Sequence, residues 1–158
     1  MPTTVLAEDD DATRRMMRVL LEHYGHVVIE AADGVEATLA CAPVVVIDLV
    51  IVDLQMPRMG GRELVRRLGD REQSPRVLVC SGSGRIEGLP LLRKPFTPQQ
   101  FRAAIDHALA APTLAQLQLQ LDGDVVEDVA GEASGPTPSH WGDPDGIEPH
   151  QRKPAPQR

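Results

Sequence analysis

The stretch IDLVIVDLQMPRMGG, residues 47–61, decides the fold. Its first half, IDLVIVD, is an apolar run that ends on Asp53 and shows no sustained alternation. Such a run suits a parallel strand buried on both faces, because alternation is the mark of a strand with one wet face. MPRMGG then makes a loop, and a helix follows from about Arg62 to Leu68. A carboxylate therefore closes a buried strand where the chain turns into a loop.

The neighbours repeat this grammar. Thr4–Ala7 reads as a strand and ends in Glu8, Asp9, Asp10 and Asp11. A helix over Ala12–Tyr24 follows, with Met16, Leu20 and Tyr24 at i+4 spacing and Val19 beside them, and Gly25 sits where a helix stop is expected. Val27–Glu30 is a second strand, and Gly34–Ala40 a short helix stopped by Pro43. Downstream, Val77–Cys80 and Leu89–Leu92 are strands. A last helix begins with Thr97 as N-cap, Pro98 in the first turn and Gln100 completing a capping box, with Phe101, Ile105 and Leu109 as its apolar stripe. The order is that of an α/β fold with a doubly wound five-stranded parallel sheet.

Composition bounds the function. With 16 Lys+Arg against 23 Asp+Glu the net charge is −7, which excludes a protein that tracks nucleic-acid phosphates with a basic face. Aromatics make up only 3% within 42% hydrophobic residues, so the core is aliphatic. The sequence has no apolar run long enough to span a bilayer and no secretory signal at MPTTVLAEDDD. Its two cysteines, Cys41 and Cys80, form neither a disulfide framework nor a zinc motif. A cytoplasmic protein without membrane contact or direct DNA binding is expected.

Residues 1–111 carry seven Pro and eight Gly, whereas the 47 residues of 112–158 carry seven Pro and five Gly. All eight acids of the second part fall between Asp122 and Glu148. We expect one domain over 1–111 and a mostly disordered acidic tail over 112–158 that is no output domain. Within the tail, Leu117, Leu119 and Leu121 alternate with Gln, which reads as a weak strand that Asp122-Gly123 could turn into a hairpin, or as plain unpaired linker.

In a doubly wound sheet the site lies at the carboxyl ends of the strands. Here those ends bring Glu8 and Asp9, Asp53, Ser81 and Lys94. Each has a bland alternative: the acids could cap a helix, Asp53 a turn, Ser81 a loop, and Lys94 could be solvated. Together they suit phosphoryl chemistry. Clustered carboxylates repel unless a hard cation such as Mg²⁺ neutralises them. Asp53 could then attack phosphorus while Ser81 and Lys94 hold phosphoryl oxygens.

These blocks resemble the receiver domain of two-component response regulators, the CheY-like family. VLAEDD is similar to its first acidic cluster, DLVIVDLQMPRMGG to the segment around its phosphorylated aspartate, VLVCSG to its Ser/Thr strand end and LLRKPF to its lysine–proline segment. The resemblance covers about residues 3–110. It implies a phosphoacceptor signalling domain rather than an enzyme, with Asp53 accepting phosphate from a sensor histidine kinase or a histidine phosphotransfer protein. It implies Mg²⁺ (or Mn²⁺) held by Glu8, Asp9, Asp53 and the backbone carbonyl of Gln55, with Asp10 flanking. It implies phosphate contacts from Ser81 and Lys94, and hydrolysis tuned at Gln55 and Ser83. The output would be a phosphorylation-dependent protein interaction, with a homodimer possible.

Two features depart from that pattern. GSGRIEG, residues 82–88, is too short and too rich in glycine for the helix that usually joins the fourth and fifth strands, so this helix is expected to be missing or much shortened. Leu91 stands where the family usually carries an aromatic switch residue. Receivers of hybrid sensor kinases often show such a shortened segment, so a receiver derived from or acting with a hybrid kinase is the first alternative. An aspartate-nucleophile phosphohydrolase and a degenerate receiver used as a scaffold are lesser ones. The uncovered sheet face would be closed by Leu114, Leu117, Leu119 and Leu121, within the chain or exchanged in a dimer. Cys80 reads as an inert core thiol, His23 and His26 as non-ligands, RRMMR (14–18) as a solvated basic face that could contribute to kinase docking, and Trp141 as a residue without an assigned partner that could be a short docking motif.

Overall fold

The computed structural model describes residues 1–42 and 45–123. In chain order these form β1 (Thr3–Ala7), α1 (Asp11–His23), β2 (Val27–Ala31), α2 (Gly34–Ala40), β3 (Leu49–Val52), α3 (Gly61–Gly69), β4 (Arg76–Ser81), β5 (Leu91–Arg93), α4 (Pro98–Ala110) and α5 (Leu114–Gly123). All strands pair in parallel in the order β2-β1-β3-β4-β5. This is the doubly wound sheet expected from the sequence. Among the described residues no helix is long and apolar enough to cross a membrane.

The central strands are buried on both faces, and their side chains divide by size. Val5, Ala7, Val50, Val52, Val77 and Val79 face one cluster, shared with Ala37 of α2 and with Leu64 and Leu68 of α3. Leu6, Leu49, Ile51, Leu78 and Cys80 face the other, shared with Met17 and Leu21 of α1 and Phe101, Ile105 and Ala108 of α4. Beneath α1 the stripe runs one residue later than expected. Met17 and Leu21 are buried, Leu20 and Tyr24 partly so, and Met16 and Val19 are exposed.

The connection from β4 to β5 contains no helix; it turns on Gly84 and Gly88, both with positive φ. The strand expected over Leu89–Leu92 begins only at Leu91. Pro90 has no N–H to give the ladder, although its carbonyl accepts from Val79 N–H at 2.9 Å.

The segment after Ala111 departs from the strand-or-linker reading: Leu114–Gly123 is a helix. Leu114, Leu117 and Leu121 recur at helical spacing. Thr113 and Gln116 also form a reciprocal cap. Thr113 N–H donates to Gln116 Oε1 at 2.8 Å and Gln116 N–H to Thr113 Oγ1 at 3.4 Å. The start of the helix is tied to the strand before it: Leu114 N–H donates to Pro75 O at 3.2 Å, Ala115 N–H to buried Ser74 Oγ at 2.6 Å, and Arg76 Nε to Ala111 O at 2.9 Å. Leu114 is buried in the cluster that holds Val77, Val79 and Leu91. The chain itself therefore sets a helix against α3, with Leu114 buried in that cluster. The expectations for the rest of the tail, including Trp141, lie outside the described residues.

Shortening Leu114 removes buried aliphatic surface at the edge of that cluster. Leu114→Ala should lower unfolding stability by about 2 kcal/mol, the lower end for a buried leucine, measured as a shift of the urea midpoint. An unchanged midpoint would show that α5 contributes nothing to the domain.

Candidate functional site

Register brings the candidate residues together. Ala7 pairs with Val52, so Glu8 and Asp53 leave adjacent strands side by side. Ser81 pairs with Arg93, one residue before Lys94. Asp53 N–H donates to Ala7 O at 3.0 Å and Lys94 N–H to Ser81 O at 3.2 Å, which extends the ladder into the site.

Lys94 Nζ lies 2.5 Å from Glu8 Oε2 and 2.7 Å from Asp53 Oδ2. Glu8 is 2% exposed and Asp53 8%. Burial raises the pKa of Glu8, and the Lys94 ammonium opposes that rise. At Lys94 burial acts to lower the pKa, but hydrogen bonds to Asp53 and Glu8 outweigh it and hold the amine charged. Glu8, Asp9 and Asp53 offer carboxylate oxygens within 4.8 Å of one another, so these three could hold a metal. One ammonium against three carboxylates leaves two negative charges, which suits a divalent ion with oxygen ligands.

The neighbouring positions separate by role. Asp10 is not gathered into the cluster; it is the N-cap of α1, accepts from Thr13 N–H at 2.7 Å, and has its pKa lowered by hydrogen bonding with the side chain and then the backbone of Thr13. Gln55 N–H donates to Asp53 Oδ1 at 3.0 Å and fixes the carboxyl plane. The Gln55 side chain reaches across to Ser83, with Nε2 3.2 Å from Oγ. Ser81 is fully buried, and its hydroxyl donates to Ser83 O at 2.6 Å rather than to Asp53. Cys80 is buried, with its thiol pushed up to about 12 by burial. His26 is buried with Nδ1 2.8 Å from Thr4 Oγ1, and burial lowers its pKa, while His23 is exposed, so the two do not converge on a metal.

The sequence reading missed two arginines. In RRMMR, Arg14 is not merely solvated: its Nη1 donates to Glu8 O at 2.7 Å, and its side chain pairs with Asp11 and Glu30. A cation this near a helix start opposes the helix dipole, a signal that it is engaged elsewhere. Arg58 stands at φ 61°, where side chains other than Gly are uncommon, and pairs with buried Asp33 and with Glu36. It ties the loop after β3 to the start of α2. Close packing completes the frame: a Cβ on Gly61 would collide with the backbone carbonyl of Asp53.

Removing the ammonium leaves two carboxylates facing each other. In Lys94→Met the pKa of Glu8 should rise further above 4.5. A carboxyl raised in the folded state binds more protons there than in the unfolded chain, so stability is lost as pH rises above 4.5. The melting temperatures of wild type and variant should therefore diverge as pH rises from about 4.5 to neutrality. A gap independent of pH would mean that Lys94 acts by packing alone.

The family model of the response regulator receiver domain matches residues 4–106. A chemotaxis protein CheY homolog of Campylobacter jejuni is 32% identical over 118 residues, which cover 66% of this chain and 91% of that protein. The transcriptional regulatory protein AfsQ1 of Streptomyces coelicolor is 34% identical over 90 residues; these cover 55% of this chain but only 38% of that longer relative. Among solved structures, the chemotaxis response regulator CheY4 of Vibrio cholerae superposes with a TM-score of 0.61 at 29% identity, covering 68% of this chain and 98% of that one. The family model spans residues 4–106, from β1 into α4, and takes in the strand ends that gather the acids and the lysine: this chain belongs to the response regulator receiver domain family of two-component systems.

Proposed function

We propose that Asp53 accepts a phosphoryl group from the phosphohistidine of a sensor kinase or histidine phosphotransfer protein. The observation that carries this reading is the Asp53 carboxylate held between Lys94 Nζ and the Asp9–Glu8 pair at the edge of the sheet. Glu8, Asp9, Asp53 and the backbone carbonyl of Gln55 would hold Mg²⁺ or Mn²⁺. When bound, the ion neutralises charge on the transferring group.

An Asp53 oxygen forms the new bond to phosphorus as the phosphorus–nitrogen bond of the phosphohistidine breaks. The imidazole leaves with the bonding pair, and the product is an acyl phosphate on Asp53. Lys94 shifts from two carboxylates to one carboxylate and a phosphoryl oxygen, so it stays paired throughout. The Ser81 hydroxyl takes a second phosphoryl oxygen by giving up the Ser83 carbonyl. Gln55 and Ser83, hydrogen-bonded to each other, govern the approach of water and thus the lifetime of the acyl phosphate. Release of Ser83 by Ser81 reshapes the loop after β4, and the altered surface is what a downstream protein reads. In this role the chain works in the cytoplasm with its kinase.

Incubation with Mg²⁺ and acetyl phosphate should add one group of about 80 Da, a single phosphoryl, stable to acid and labile to base. Asp53→Asn keeps the shape but lacks a nucleophilic oxygen and should show no adduct by mass spectrometry, with its circular dichroism unchanged. Labelling of that variant at the wild-type rate would overturn the assignment.

A further inference from the structure

Three arginines converge on the short connection between β4 and β5. Arg62, near the start of α3, donates from Nη2 to Arg85 O at 2.8 Å, and Arg93, at the end of β5, donates from Nη1 to Gly84 O at 3.0 Å. Arg85 lies between them in the loop with its side chain 69% exposed. Arg62 and Arg93 thus bind neighbouring carbonyls of one peptide stretch, and both are exposed. Among the described residues neither has a carboxylate within 4.0 Å; Arg85 has only Glu87, 3.7 Å away and 94% exposed.

Most other arginines at the surface are paired with acids, Arg15 of α1 being an exception among the described residues. Arg66 and Arg67 are paired with Glu63, Arg18 with Glu22 and Glu30, and Arg102 with Asp106. The chain carries a net charge of −7, yet it gathers three largely unneutralised guanidinium groups, from α3, the loop and β5, around one connection. A guanidinium has five donors, and Arg62 and Arg93 each spend one on the backbone, which fixes the group while leaving the rest free to bind. Planar forks held in this way suit carboxylates better than flexible ammonium groups do. The connection has no helix to cover the patch.

We infer that Arg62, Arg85 and Arg93 form a docking surface for an acidic segment, rich in Asp and Glu, of a partner protein. The complementary charge is the ground for this choice. A nucleic acid would also present negative charge, but the net charge of −7 opposes a long anionic rod while admitting a short acidic segment that meets only the patch. This surface lies on the loop that the proposed function gives to a downstream protein, but its charge does not depend on Asp53 being a phosphoacceptor.

The test uses the full chain and a fluorescent oligoglutamate peptide, with binding read by anisotropy. Saturable binding that weakens with salt is expected. Arg62→Glu and Arg93→Glu should each weaken it by about tenfold or more, the scale of one reversed charge in a contact. Arg15→Glu, which changes charge equally on α1, should leave it nearly unchanged. Because Arg62 and Arg93 also brace the loop, Arg85→Glu is the second variant: its guanidinium makes no backbone bond among those described, and it should weaken binding with circular dichroism unchanged. Absence of binding, equal loss in Arg15→Glu, no loss in Arg85→Glu, or tighter binding of a short DNA duplex than of the peptide would each overturn the inference.

Discussion

The Lys94 ammonium, 2.5 Å from one carboxylate and 2.7 Å from another, is the interaction on which the site depends. Glu8 is buried just after β1 and Asp53 just after β3, so without a cation two desolvated charges would face each other across one strand spacing. Lys94 comes from β5, two strands away from β3, and can reach them only because β4 ends level with them. The ion pair thus joins the ends of three strands, and the order β2-β1-β3-β4-β5 is what makes it possible. It also leaves the cluster short of positive charge, so the same carboxylates that the lysine steadies remain available to a divalent ion.

The sheet beneath sets how finely this edge is placed. Valines and alanines face α2, α3 and α5, while leucine, isoleucine and cysteine face α1 and α4. Small side chains on one face let the helices there approach closely, as Gly61 does at the Asp53 carbonyl and Gly34 at Met59, whose carbonyl oxygen would lie 2.6 Å from an added Cβ. Backbone contacts of this kind hold the β3 loop more rigidly than side chains could. Arg58 adds an ionic tie from the same loop to Asp33.

Much of this was legible in the sequence because the strongest signals are local. The unalternating run into Asp53, the acids after Ala7 and the capping box at Thr97 each name their element without help from distant residues. The apolar stripe of α1 was misplaced by one position because Met16 and Met17 both suit a core, and only the docking against β1 and β3 chooses Met17. The helix from Leu114 was obscured by the Gln–Leu alternation. The cap at Thr113 and Gln116, which has the same spacing as the one at Thr97, was the signal for it. Arg58 and the arginines around Gly84 were not legible, since their roles rest on carbonyls and acids far away in the chain.

The bare connection after β4 also bears on how the sheet is assembled. Val79 pairs with Leu91, twelve positions later, whereas Thr4 pairs with Leu49, forty-five positions later. The entropy of closing a loop grows with the logarithm of its length, so the shorter closure is favoured by about 1 kcal/mol. Parallel strands usually lie far apart in sequence, which slows their pairing. Loss of a helix has here converted the last strand into a near neighbour of the one before it. The edge that carries the lysine can therefore zip onto β4 as soon as β4 exists, ahead of the long-range meeting of β1 and β3 that supplies its carboxylates.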